Sequence, residues 1–199
     1  MNLSPYGIQR IIEWETGGEM EYDRHPEWPG ESSGITIGIG FDVGQTGATE
    51  TRRAWAAHLE ATTLQLLVSV SDKRGEAAQQ VLPFVRHLEI PWAAAEAVFK
   101  ETTLPTWYLR TLRIYPQAVD LHGDACAALV SLVFNRGLDL YGDRRREMVD
   151  IQTALKTGKV GQVPELLRSM TRLWPNSRGL RRRREEEAEL FQRGLLAGA

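Results

Sequence analysis

Residues 34–44 read Gly-Ile-Thr-Ile-Gly-Ile-Gly-Phe-Asp-Val-Gly. Ile35, Ile37 and Ile39 alternate with Thr36, Gly38 and Gly40. A period of two over such a run predicts a β-strand with one apolar face. The glycines let a second backbone or a ligand approach closely. Thr36 falls on the side opposite the isoleucines, on a face that two glycines leave open. Asp42 follows, where a hairpin leaves the sheet. This is the one convincing sheet signal in the sequence, so the sheet is expected to be small.

Outward from this run the signals are helical. Towards the N-terminus, Ser4 precedes Pro5, which reads as an N-cap followed by proline at the first helical position. Ile8, Ile11 and Ile12 fall on one face, Leu3 is placed to staple the start, and Gly17-Gly18 predicts a stop near Thr16. Residues 17–34, rich in Gly, Pro and acids, read as an irregular loop. Beyond residue 47 the periodicity predicts helices over 48–60, 61–71, 73–86, 91–100, 102–114, 122–136, 143–158, 160–171 and 178–193. The expected architecture is α+β and mostly helical, a single domain over residues 1–199. Its small lobe spans about 13–60 and its helical lobe 61–199.

Composition narrows the function classes. Apolar residues make up 42% and charged residues 25% of 199 residues, enough for a real core. Residues 1–100 hold 8 Lys/Arg against 14 Asp/Glu, and residues 101–199 hold 16 against 12. An acidic lobe facing a basic one is compatible with a cleft between them, and it makes no case for nucleic acid, which prefers a concentrated basic face. No apolar run reaches the length of a membrane span, so no membrane insertion is expected. The N-terminus lacks the charged start and apolar stretch of a signal peptide. The single Cys126 sits in an apolar helical run and reads as a buried, inert thiol. His25, His58, His87 and His122 share no metal spacing, so neither a metal nor a cofactor is expected. Glu19, Glu21 and Asp23 read as a solvated acidic loop without the calcium-loop pattern.

Glu15 ends the first helix between Trp14 and the Gly17-Gly18 stop. An aromatic neighbour and the negative end of the helix dipole both favour the protonated carboxyl, the state a general acid needs. A solvated glutamate at a helix end is the plainer reading of that position alone. Asp42 likewise has a plainer reading as a turn cap. A pair of carboxylates flanking a glycosidic bond is the minimum equipment for hydrolysing it.

The run Glu15-x-Gly-Gly followed by Gly34-Ile-Thr-Ile-Gly-Ile-Gly-Phe-Asp-Val-Gly resembles the active-site region of phage T4-type lysozymes. Two later stretches resemble the same family. Ala127-Ala-Leu-Val-Ser-Leu-Val-Phe-Asn-Arg-Gly is similar to its central helix, and Gly179-Leu-Arg-Arg-Arg-Arg-Glu-Glu-Glu-Ala-Glu-Leu-Phe to its C-terminal helix. The resemblance implies a lysozyme-like fold, Glu15 as general acid and Thr36 as the active-site threonine. In the T4 type the second carboxylate precedes the threonine, which points here to Glu31 or Asp23. In pesticin-like toxin lysozymes an aspartate follows it, which is the place of Asp42. The hairpin and the loop His25-Pro-Glu-Trp-Pro-Gly also resemble muramidase effector domains, and this favours Asp42.

The implied activity is a muramidase cutting the β-1,4 bond between N-acetylmuramic acid and N-acetylglucosamine in peptidoglycan glycan strands. Glu15 would protonate the leaving oxygen, Asp42 would act as base or electrostatic stabiliser, and Thr36 would orient the water. Trp14 and Trp28 are candidates for stacking on sugar rings, whereas Trp55 and Trp92 read as core. Asn135 and Arg136 are further substrate-binding candidates, and Arg136 with Arg144, Arg145 and Arg146 could meet peptide carboxylates. Arg181/Glu185, Arg182/Glu186 and Arg183/Glu187 are spaced as helical i,i+4 pairs on a charged face. The expected setting is an antibacterial effector or endolysin made in the cytoplasm. It would be delivered to the periplasm or cell wall by a holin, a secretion apparatus or a carrier, with an immunity protein as a further partner. A lytic transglycosylase and a non-catalytic wall-binding module are the competing expectations.

Overall fold

The computed structural model describes residues 1–198. The chain is mostly helical with one small antiparallel sheet, an α+β fold, and it forms two compact units. One contains Met1–Trp14 and the chain from Thr106 onward, and the other contains Glu15–Pro105. Among the described residues no helix is long and apolar enough to cross a membrane.

The unit of Glu15–Pro105 carries the sheet. Thr36–Ile37 (β1) pairs antiparallel with Phe41–Asp42 (β2), with Thr36 opposite Asp42 and Ile37 opposite Phe41. The period-two run over 35–40 is therefore not one straight strand but the turn-centred part of the expected hairpin. Gly38 and Gly40 take φ of +58° and +67°, and the chain reverses there. All three isoleucines are still buried, because the turn returns Ile39 to the side that Ile35 and Ile37 occupy. Gly38 does not leave room for a ligand at its Cβ position: an added methyl would meet the Trp55 ring at 2.8 Å and Ala95 at 3.3 Å. Trp55 is fully buried and stands edge-on to Phe41, with ring centroids 5.6 Å apart.

The helices of this unit are Val43–Thr46 (α2), Ala48–Trp55 (α3), Ala61–Ser69 (α4), Glu76–Val85 (α5) and Trp92–Val98 (α6). All but α2 fall within the expected segments; α2 is a single turn, too short for periodicity to reveal. Buried Leu67, Val85, Ile90 and Val98 extend the core into α4, α5 and α6. The boundary expected near residue 60 thus falls at Pro105 instead, because Trp55 of α3 and Ala95 of α6 close the core beneath the hairpin. A π-helical turn over Phe99–Thr103 joins α6 to Leu104–Ile114 (α7). Pro105 has no N–H to donate to the carbonyl four residues earlier and its ring would crowd that carbonyl, and the wider π turn lies at that place.

The other unit is built around Gly123–Arg136 (α8), whose residues from Gly123 to Val133 are all buried. Pro5–Thr16 (α1) has the predicted bounds and reaches into both units, the division falling between Trp14 and Glu15. Arg146–Lys156 (α9), Val163–Ser169 (α10) and Arg178–Ala197 (α11) complete the unit. Gly7 of α1 and Gly194 of α11 each lie so close to α8 that a Cβ would overlap Ala127 and Ala125 respectively. Cys126 is buried here, and desolvation pushes its thiol up to about 12.

The charged run of α11 is only partly a solvated face. Arg182 pairs with Glu186 at 2.7 Å as its spacing predicts. Arg183, Arg184 and Glu187 are instead buried. Glu187 Oε1 accepts from Arg183 Nε at 3.2 Å, from Arg184 Nη2 at 2.7 Å and from the Ser131 hydroxyl of α8 at 2.6 Å. Glu185 pairs with Arg168 of α10 at 3.3 Å. A buried carboxylate is tolerated where several charged donors converge on it.

Candidate functional site

Glu15 is half-buried in the last turn of α1. It lines a cavity of about 220 Å³ together with Thr16, Glu21, Tyr22, Asp23, His25, Glu27, Thr36, Ile37 and Gly38, all within the unit Glu15–Pro105. Glu15 and Thr36 are thus brought to one concavity from well-separated parts of the sequence. Asp42 is not among the described residues that line it.

Asp42 does a different local job. One oxygen accepts the Gln45 backbone N–H at 2.9 Å and caps α2. The other accepts the Gly34 N–H at 2.9 Å and the Gln45 side-chain amide at 3.0 Å. Its carboxylate ties the loop before β1 to the helix after β2. Of the two alternatives, Asp23 does line the cavity, and its Oδ1 accepts the His25 backbone N–H at 2.9 Å. Glu31 is exposed at a turn with φ of +50° and does not line it among the described residues.

The sheet has a third partner inside the loop 17–34. Glu27 and Thr36 form an isolated antiparallel bridge and exchange both backbone hydrogen bonds, at 3.0 and 2.8 Å. Directly opposed residues of an antiparallel pair present their side chains on one face, with Cβ atoms about 4.5–5.5 Å apart. Glu27, Thr36 and Asp42 therefore form a row on one face with the threonine in the middle.

Three more lining groups have no site role in the sequence analysis. His25 Nδ1 lies 3.0 Å from the Leu88 carbonyl, which can only accept. In a neutral ring that leaves Nε2 as the acceptor. Tyr22 donates to the Ile90 carbonyl at 3.2 Å and stands edge-on to Trp92 at 5.3 Å. Burial and then the Asp23 charge push its phenol up to about 12. Glu21 lines the cavity although its alternation with Glu19 and Asp23 reads only as a solvated loop. Asp23, His25 and Glu27 also line a second cavity of about 530 Å³ with Pro26, Trp28, Leu82 and Arg86. The loop 23–27 is thus a wall shared by two concavities. Trp28 is held there by its indole N–H on the Ser33 carbonyl at 3.1 Å.

Trp14, Asn135 and Arg136 belong to the other unit. Trp14 donates its indole N–H to Glu186, and the Arg10 guanidinium lies 5.2 Å from its ring centre. Arg136 lies 4.8 Å from the Trp174 ring centre and donates to the Arg144 carbonyl at 2.9 Å. Desolvation, then the charges of Arg145, Arg184 and Arg144, lowers its pKa to about 10. Asn135 is exposed in the last turn of α8. Trp55 is core as expected, and Trp92 is half-buried against Tyr22.

Comparison with curated proteins finds no match to this chain. A family profile described as "Domain of unknown function (DUF8812)" matches residues 12–107. The matched stretch contains every residue that lines the Glu15–Thr36 cavity.

Proposed function

We propose that this chain is a peptidoglycan hydrolase that cleaves the β-1,4 bond between N-acetylmuramic acid and N-acetylglucosamine. The observation that carries the reading is the shared cavity of Glu15, at the C-terminal end of α1, and Thr36, on the hairpin. These are the two positions that the lysozyme resemblance names. Further carboxylates stand around them on the loop 21–27.

In this reading Glu15 gives its proton to the glycosidic oxygen as the C1–O bond breaks. The negative end of the α1 dipole favours the protonated carboxyl. A second carboxylate takes a proton from the water that bonds to C1, and the Thr36 hydroxyl orients that water. Trp28, on the same unit as the cavity, is proposed to contact the glycan. No cofactor takes part. The setting proposed is an antibacterial effector or endolysin that meets the wall after delivery, with an immunity protein in a producing cell.

The test is incubation of the full chain with purified sacculi, followed by mass spectrometry of the released ends. The reading expects soluble muropeptides with reducing N-acetylmuramic acid ends. Release of 1,6-anhydro ends would assign lytic transglycosylation instead. Wall binding without any release would make the chain a binding module.

A further inference from the structure

We infer that Glu27 is the carboxylate that activates the water, and that Asp42 is a positioning residue that fixes the hairpin carrying Thr36. The assignment rests on the glycosidase reading above and goes beyond it in naming the base. Four observations carry it.

Glu27 stands directly opposite Thr36 and exchanges two backbone hydrogen bonds with it. The bridge sets the two side chains on one face with their Cβ atoms at cross-strand distance. Glu27 also lines the cavity that contains Glu15 and Thr36, and Asp42 does not among the described residues. The Glu27 carboxylate takes no hydrogen bond or ion pair among the described residues, so its lone pairs can accept from a water. Asp42, on the other side of Thr36, has both oxygens occupied by the Gly34 and Gln45 donors. Those bonds commit its oxygens to the loop before β1 and to α2. Asp23 lines the cavity too, but it caps the His25 N–H and does not stand on the Thr36 rung.

The step balances as follows. Glu15 begins protonated and Glu27 ionised. The C1–O bond breaks and the leaving oxygen takes the Glu15 proton. Water bonds to C1 from the opposite face and yields a proton to Glu27. Proton exchange with solvent then restores both groups. Attack by water on that face gives inversion at C1.

The experiment compares Glu15→Gln, Glu27→Gln, Glu27→Ala and Asp42→Asn in the full chain on purified sacculi. Thermal melting checks each fold. Glu27 is exposed and its bridge is made by backbone, so both Glu27 variants are expected to melt like the parent. Loss of a general base removes about 100-fold or more of the rate, so Glu27→Gln is expected to fall at least that far. Azide, which needs no base, is expected to restore turnover to Glu27→Ala and to release an α-glycosyl azide. Asp42→Asn is expected to stay within about tenfold of the parent, below the range of a lost base.

A folded Glu27→Gln with parent-like turnover, while Glu15→Gln is inactive, overturns the assignment of Glu27 and leaves the glycosidase reading standing. So does a loss of about 100-fold or more in a folded Asp42→Asn while Glu27→Gln stays parent-like. Full activity of Glu15→Gln, or a parent chain that releases nothing, overturns both.

Discussion

Asp42 holds Gln45 twice, through the backbone N–H at 2.9 Å and through the side-chain amide at 3.0 Å. The same carboxylate accepts the N–H of buried Gly34. Replacing it by alanine removes the cap of α2 and leaves the Gly34 donor without its acceptor. A lost N-cap costs about 0.5–2 kcal/mol and an orphaned buried donor about 1–3 kcal/mol. Asp42→Ala is therefore expected to destabilise the chain within that range, while Asp42→Asn keeps most of the cap. Urea denaturation of the two variants measures the difference.

Gly38→Ala meets two obstacles at once. Its φ of +58° lies in the left-handed region, which costs an alanine roughly 1–2 kcal/mol. Its methyl would also press on the Trp55 ring. The variant is expected to lose at least that much stability, with a change in the emission of buried Trp55. Gly40→Ala, with φ of +67° at an exposed position, is expected to lose only the conformational part.

Gly194→Ala tests the packing of α11 on α8. All three nearest atoms to the new methyl, the backbone N, Cβ and Cα, belong to Ala125 and are fixed by its backbone. Overpacking of this kind costs about 1–3 kcal/mol. The loss is expected to exceed that of Gly7→Ala, where one rigid atom, the Ala127 Cβ, is met and the next neighbour is the Ser4 hydroxyl, which can turn aside. Calorimetry on both variants ranks them.

Glu187→Ala leaves Arg183 and Arg184 buried without the carboxylate on which they converge. Breaking a buried pair from one side costs about 3–5 kcal/mol. Glu187→Ala is expected to fall in that range, well above Arg182→Ala on the exposed side of the same helix. Equal losses in the two variants would show that the buried charges contribute no more than surface ones.

The helical unit is expected to weaken in acid partly through Glu186. Desolvation raises its pKa, but the hydrogen bonds from Arg182 and Trp14 and the Arg10 charge together hold it below the ordinary 4.5. A depressed carboxylate contributes stability that is fully present above its unfolded pKa and is lost as pH falls through the folded one. Stability should therefore decline as pH drops below 4.5, and Glu186→Gln should flatten part of that decline. Denaturation curves taken through this range check the sign.

The ends of α1 were legible because Ser4-Pro5 and Gly17-Gly18 act locally, and the helix runs Pro5–Thr16. The burial of Ile35, Ile37 and Ile39 was legible from the period of two, but that pattern serves a straight strand and a hairpin equally when glycines permit the reversal, and the hairpin itself was implied by the resemblance. The boundary of the units was hidden because periodicity marks the apolar face of α3 or α6 without saying what covers it. Within the candidate site, Glu15 and Thr36 stood out because each sits at the edge of a recognisable element. Glu27 did not, since Pro26, Pro29 and Gly30 mark its surroundings as loop. Its single rung with Thr36 is a long-range contact that no local pattern records. For Asp42 a turn-capping role was legible from its place at the end of the run, α2 itself was not, and the resemblance drew attention to a catalytic role.

The central claim is that Glu15 supplies the proton that breaks a glycosidic bond in the bacterial wall. The most direct measurement is the release of reducing sugar from purified sacculi by the parent chain and by Glu15→Gln at matched concentration, with melting curves to show that both are folded. The account predicts steady release by the parent and a fall of about 100-fold or more in the variant. Parent-like release by a folded Glu15→Gln would contradict it.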